Sequence, residues 1–256
     1  MTLAARVAPW LPSCLVVRGV AALYPRFEPE LGRLADFCPP GGTAVDVGGW
    51  YGPWSHRLAR CADSVVTVEP VPHLARLLTA TVPSNVRVVP AAAADHAGTA
   101  RLWLPPGGRG GDRGVSSLVR RSVHGNALDV PCVPLDELGL TDVTFIKVDV
   151  DGSEPAVLRG AQRTLRRDRP ALLVELEVRI QPLEPVLSLL AGCGYRGWVL
   201  PAHQWVPLAD FDLALHQRRT SHVAERGLLR RSVFPHRRYV NSVLFLPAGR
   251  EPRVRV

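Results

Sequence analysis

Residues 45–52 read VDVGGWYG, a short apolar run that carries Asp46 and runs into Gly48, Gly49 and Gly52. Glycines at a strand-to-helix turn let backbone approach a ligand closely, and the following helix start offers unpaired N–H groups to a carboxylate or phosphate. That chemistry belongs to a nucleotide-like cofactor. The dinucleotide fingerprint G-x-G-x-x-G would need glycine at 48, 50 and 53, where this chain has Trp50 and Pro53, so the spacing argues against NAD. A plain glycine turn without a ligand is the alternative. Further on, SVVTVEP ends in Glu69 and Pro70. An acid at the carboxyl end of the second strand of a doubly wound sheet can accept hydrogen bonds from both hydroxyls of a ribose; the alternative is a surface glutamate at a strand end.

The third group is FIKVDVDGSEPAVLRGA. Side chains alternate along a strand, so Lys147, Asp149 and Asp151 are expected on one face and Ile146, Val148 and Val150 on the other. Three ionisable groups on one side of a central strand are costly to bury unless they pair, hydrogen-bond or act on a ligand. Asp149 is placed to face the crevice, with Lys147 about 6 to 7 Å deeper along the strand. A structural ion pair that fixes the strand is the competing reading.

The elements needed to position these groups are legible in the alternation of β-branched runs with helix-length segments, which marks a parallel sheet covered on both faces. Strands are expected at 43–48, 64–70, 85–90, 143–150 and 171–178, with helices at 54–62, 72–82, 153–168 and 185–194. A terminal strand is expected within 238–247. TARLWL and LDVPCV are further strand candidates, while the glycine-rich stretch 105–114 reads as a mobile loop. Residues 1–40 form an N-terminal helical segment, 41–256 the main domain, and 201–237 an insertion before the last strand.

With 256 residues, 46% hydrophobic and 21% charged, the chain can bury a core and fits one large α/β domain. Its five cysteines are scattered and never spaced C-x-x-C, which points away from a disulfide framework or zinc knuckle and toward a reducing compartment. No apolar run reaches the roughly 18 residues of a membrane span, so a soluble cytoplasmic protein is expected. The net charge is +8, and Lys147 is the single lysine among 31 basic residues. Ten arginines fall between Arg218 and Arg255, either a surface for anions or simply a solvated face.

Taken in order, these segments resemble the FkbM family of S-adenosylmethionine-dependent methyltransferases. VDVGGWYGPWS resembles its first motif, VVTVEPVPHLARLL its second, and FIKVDVDGSEPAVLRGA with PALLVELE its most characteristic stretch. The resemblance runs from about residue 26 to 200. It implies the class I methyltransferase fold, a doubly wound, Rossmann-like α/β sheet, mostly parallel with an antiparallel last strand. It also implies S-adenosyl-L-methionine as cofactor and O-methylation of a small molecule, natural product or sugar. By position, Asp46, Gly48, Gly49 and Gly52 would hold the amino-acid end of the cofactor and Glu69 its ribose. Pro70 and Ala91 would lie along the cofactor, with adenine recognised through backbone and packing near Pro90 and Ala91. Two positions depart from the family pattern: Gly49-Trp50 stands where alanine and asparagine are usual, and Asp151 where glutamate is common.

An unactivated alcohol is a poor nucleophile at neutral pH, so a general base is useful. Asp149 is assigned that role, with Lys147 orienting the acids or offsetting their charge. Ser116, Ser117 and Glu175 are the candidate acceptor contacts, and no metal is required. His203, His216 and His222 are rivals for the base. The expected partner is a small-molecule hydroxyl acceptor, with nucleic acid and membrane disfavoured. The alternatives are an RNA or DNA methyltransferase using the basic C-terminal region, a nicotinamide oxidoreductase, or a non-catalytic cofactor-binding module.

Overall fold

The computed structural model describes residues 13–106, 116–224 and 238–253. Helix α1 (Ser13–Leu23) leads into 3-10 turns at Tyr24–Arg26 and Pro29–Asp36. There follow β1 (Thr43–Val47), α2 (Pro53–Leu58), β2 (Ser64–Val68), α3 (Pro72–Thr81) and β3 (Val86–Val89). A small sheet comes next, made of β4 (Ala92–Ala93), β5 (Gly98–Leu104) and β6 (Asn126–Val133). The main alternation resumes with β7 (Val143–Val148), α4 (Glu154–Arg159), α5 (Gln162–Asp168), β8 (Ala171–Glu175), α6 (Glu184–Gly192) and β9 (Tyr195–Val199). The chain ends in β10 (Val206–Pro207), α7 (Leu213–Ala224) and β11 (Ser242–Pro247).

Eight strands form one sheet in the order β10-β9-β11-β8-β7-β1-β2-β3. β3, β2, β1, β7 and β8 run parallel, and β11 is antiparallel to both β8 and β9. This is the expected class I arrangement with an antiparallel terminal strand. β1 sits at the switch point, with β2 and β3 on one side and β7 on the other, so its carboxyl end opens onto the crevice where doubly wound sheets bind ligands.

The two faces are covered differently. Val45, Val47, Val66, Val68, Ile146, Val148, Leu172 and Val174 pack under α4, α5 and α6 in the larger core. The opposite face offers Ala44, Val65, Phe145, Ala171, Leu173 and Leu244 to α2 and to Leu31, Leu34 and Phe37 of the N-terminal segment. The near-continuous apolar reading of the strands follows from burial on both sides. Trp54 and Phe145 stack at 6.0 Å in this second layer.

The structure adds one feature to the sequence expectation and changes another. The strand candidates TARLWL and LDVPCV belong to a separate three-stranded sheet, β4-β6-β5, in which β5 and β6 pair antiparallel over Gly98–Leu104. The helix expected over 153–168 is broken into α4 and α5: the Gly160 carbonyl accepts the Asp136 N–H at 2.9 Å, and the Asp136 carboxylate accepts the N–H groups of Arg163 and Thr164 at the start of α5. The terminal strand, Ser242–Pro247, lies within the expected 238–247. Most of the 105–114 loop, residues 225–237 of the 201–237 insertion and residues 1–12 of the N-terminal segment lie outside the described residues.

Gly48 (φ +86°) abuts β7, and a Cβ there would lie 2.0 Å from the carbonyl oxygen of Asp149. Gly48→Ala is expected to cost about 3 kcal/mol or more in chemical denaturation, from left-handed strain plus a backbone clash. Gly32→Ala, with nothing within 4 Å of the added methyl, should stay within about 0.5 kcal/mol.

Candidate functional site

On the face covered by α2, register sets Thr67, Asp46 and Lys147 side by side on β2, β1 and β7. Asp46 is 1% exposed; its Oδ2 accepts from the Ser55 hydroxyl at 2.6 Å, Ser55 is 2.8 Å from the Thr67 hydroxyl, and Oδ1 is buried with no hydrogen-bond partner. Burial pushes the Asp46 carboxyl up, and the Lys147 ammonium opposes that push.

Two residues further along each strand stand Glu69, Gly48, Asp149 and, on β8, Glu175. These are the carboxyl ends of four neighbouring strands, so three acids rim the crevice around one glycine. Glu69 is buried. Its Oε2 accepts the Trp50 N–H at 2.8 Å and its Oε1 the Val71 N–H at 2.8 Å. The glycine turn and the second-strand acid are therefore hydrogen-bonded to each other. Trp50 has φ +48° and Gly52 +77°, and these left-handed residues fold the turn back toward Glu69. A Cβ on Gly49 would lie 2.3 Å from the Thr67 methyl, so this glycine is also required by packing.

Lys147 is 4% exposed, its Nζ is 2.9 Å from Asp149 Oδ2 and it lies 5.8 Å from the Trp54 ring centroid. Burial works against the ammonium, but Asp149, Glu28 and Asp46 outweigh it and hold the Lys147 pKa above the ordinary lysine value. Asp149 keeps 24% of its side chain exposed. Glu175 accepts a hydrogen bond from Asn241, and burial together with Asp149 and Glu177 pushes its carboxyl well up.

Glu28 was not singled out by sequence reasoning. It reaches the site from the N-terminal segment, where Tyr24 donates to its Oε1 at 2.7 Å and Trp54 Nε1 to its Oε2 at 2.6 Å. One carboxylate oxygen from each of Glu28, Asp149 and Glu175 lies within 4.8 Å of the others. No spacing in the sequence signals Glu28, because its approach depends on how the segment lies across the sheet.

Other expected positions have different surroundings. Asp151 does not share the face of Lys147: β7 ends at Val148, and Asp151 sits in a left-handed turn (φ +53°), paired with Arg121 at 2.8 Å. Ser117 is 1% exposed, donates to the Asp151 carbonyl at 2.7 Å and accepts from the Val119 N–H at 2.9 Å. Its hydroxyl pins the strand-end loop. Ser116 is half-buried beside it. Pro70 is half-buried and Ala91 buried, while Pro90 is exposed. His216 lies with Nε2 2.9 Å from the Arg238 carbonyl, and His203 and His222 are exposed.

Burial, reinforced by Asp149 and opposed by Arg121, raises Asp151 from 3.8 to about 7. The folded state then holds this proton more tightly than the unfolded chain, so its contribution is most favourable below pH 3.8 and is lost as pH rises through about 7. Thermal unfolding across that window should fall less steeply with pH in Asp151→Asn than in the wild type; an unchanged slope would count against the shift.

The methyltransferase FkbM domain family matches residues 43–196, more than half of the chain. No curated protein matches the sequence. Among solved structures, a methyltransferase FkbM from Methylobacillus flagellatus KT aligns at 17% identity and TM-score 0.46, over 80% of this chain and 43% of that one. The chain therefore spans less than half the length of that protein. A precorrin-6y C5,15-methyltransferase from Geobacter metallireducens GS-15 aligns at 14% identity and TM-score 0.46, over 86% and 87% of the two chains. A precorrin 8w decarboxylase from Methanobacterium thermoautotrophicum aligns at 11% identity and TM-score 0.45, over 86% and 90%. Among the described residues, no helix is long and apolar enough to cross a membrane.

Proposed function

The chain belongs to the methyltransferase FkbM domain family, and from that premise we propose that it is an S-adenosylmethionine-dependent O-methyltransferase acting on a hydroxyl of a small molecule, natural product or sugar. The family makes it a methyltransferase with that cofactor; the acceptor is our reading. The observation that carries it is the bond from the Trp50 N–H to Glu69, which joins the glycine turn and the second-strand acid at the switch point.

The residues present fit the cofactor. The unpartnered, buried Oδ1 of Asp46 suits a cationic amino-acid end beside Gly48. Glu69, at the end of β2, suits a ribose diol; Pro70 and Ala91 would flank the base. When bound, S-adenosylmethionine supplies an already activated methyl group. What remains for the chain is to hold the acceptor oxygen in line and to remove its proton. Asp149 is the base in this reading. It would take up the proton that the acceptor hydroxyl loses. Lys147 is a positioning residue that holds Oδ2 through its ammonium at 2.9 Å.

Calorimetric titration of S-adenosylmethionine should give saturable binding to the wild type, weakened by about tenfold or more in Glu69→Ala, the scale of a lost charge-assisted hydrogen bond. No binding to the wild type at high micromolar concentration would favour a non-catalytic module. Asp149→Asn should keep cofactor affinity and slow methyl transfer by about a hundredfold or more; near-normal turnover would remove the base assignment. Lys147→Arg should impair transfer more than replacing Arg218 or Arg250, because a planar guanidinium cannot reproduce a compact ammonium under Trp54.

A further inference from the structure

The family match begins at residue 43, yet one side chain beside Asp149 comes from before it. Glu28 stands between the 3-10 turns Tyr24–Arg26 and Pro29–Asp36. Its N–H donates to the Tyr24 carbonyl at 3.0 Å, and its Oε1 accepts the Tyr24 hydroxyl at 2.7 Å. The rest of the segment is tied down as well. Glu30 pairs with Arg238, Arg33 donates to the His203 carbonyl at 2.8 Å, and Asp36 accepts from Trp205 Nε1 at 3.1 Å. Glu28 is therefore presented from an anchored segment.

From Glu28 a chain of contacts runs to Asp149. Its Oε2 accepts from Trp54 Nε1 at 2.6 Å. Trp54 is 1% exposed; its ring stacks on Phe145 at 6.0 Å and lies 5.8 Å from the Lys147 ammonium. That ammonium donates to Asp149 Oδ2 at 2.9 Å. A buried indole N–H needs a partner, so the orientation of the ring beside Lys147 depends on Glu28. A carboxylate suits the position because Tyr24 and Trp54 each donate to a separate oxygen; an amide would offer a donor in place of one acceptor.

A partner for the indole alone would not require a charge. Glu28 places a carboxylate oxygen within 4.8 Å of oxygens of Asp149 and Glu175, where like charges repel. Lys147 offsets that repulsion. Burial works against its ammonium, and of the acids that favour it Glu28 stands after Asp149 and ahead of Asp46. Glu28 and Asp149 thus act on the same cation.

Resting on the methyltransferase reading above, we infer that Glu28 is a positioning residue of the transfer site: by fixing the Trp54 indole it holds the Lys147 ammonium against Asp149, the base of that reading. The residues spanned by the family match are then not sufficient for the site, and the N-terminal segment supplies part of it.

The test uses the full chain grown with isotopically labelled lysine, in which Lys147, the single lysine, gives one terminal side-chain methylene signal by NMR. In the wild type that signal should stand upfield of its position in the urea-unfolded chain, displaced by the Trp54 ring. Glu28→Gln should lose about half or more of the displacement, since a charge-assisted bond to the indole is gone. In a Trp54→Phe background, where no indole N–H remains, the same substitution should add little further change. If Glu28→Gln does not fold, Tyr24→Phe carries the test: it frees one oxygen of Glu28 and should move the signal the same way by a smaller amount. A wild-type signal at the unfolded position, a signal unmoved by Glu28→Gln and Tyr24→Phe, or an equal shift in the Trp54→Phe background would each overturn the proposal. Failure of the wild type to bind S-adenosylhomocysteine by calorimetry would instead fail the methyltransferase reading, and the assignment to a transfer site with it, while the Lys147 signal would still report the contact.

Discussion

The ammonium of Lys147 is buried in the middle of the sheet, and much of the site's architecture follows from keeping it satisfied. A buried charge is tolerated only when paired and hydrogen-bonded. Lys147 meets that demand with Asp149 at 2.9 Å, with Asp46 beside it in register, and with the ring of Trp54 at 5.8 Å. Trp54 in turn is fixed by its bond to Glu28. One cation thus ties β7 to β1, to the helix after the glycine turn and to the N-terminal segment. Its preference for the charged form is a consequence of the acids gathered around it, which overcome the penalty of burial.

The glycine turn is shaped by the same crowding. Gly48 lets β1 approach the backbone of β7 at Asp149, and Gly49 lets the turn lie on Thr67 and Leu78. Side-chain volume is excluded there by the protein's own atoms, before any ligand is considered. The tightness places Glu69 within reach of the Trp50 N–H, so the residue that departs from the usual pattern joins the turn to the acid through its backbone. A backbone contact of that kind is indifferent to the side chain, which is free to pack against Tyr24 and Tyr51.

Much of the fold was legible because strand and helix periods are local properties. Burial on both faces makes the central strands read as β-branched runs, and glycine and proline mark their ends. Tertiary contact decided what local pattern misread or left open. The 153–168 segment reads as one helix, but Asp136, distant in sequence, bonds the Gly160 carbonyl and caps the N–H groups of Arg163 and Thr164, and the helix is broken there. TARLWL reads as a strand and is one, yet nothing local says that it joins β6 in a second sheet. Asp151 keeps the period-two spacing from Lys147 and Asp149, but the strand ends before it, and a left-handed turn sends it to Arg121.

By itself the sequence determined the glycine turn, the acid after the second strand and the Lys147–Asp149 spacing, because each depends on residues a few positions apart along one element. It also carried the family resemblance, which rests on those same short stretches in order. The third dimension decided that Glu28 joins Asp149 and Glu175, that Ser117 is committed to the backbone, and that the crevice of a basic protein is acidic. Those facts depend on segments far apart in the chain being brought within a few ångströms. Charge summed over a sequence says nothing of where the folded surface collects it.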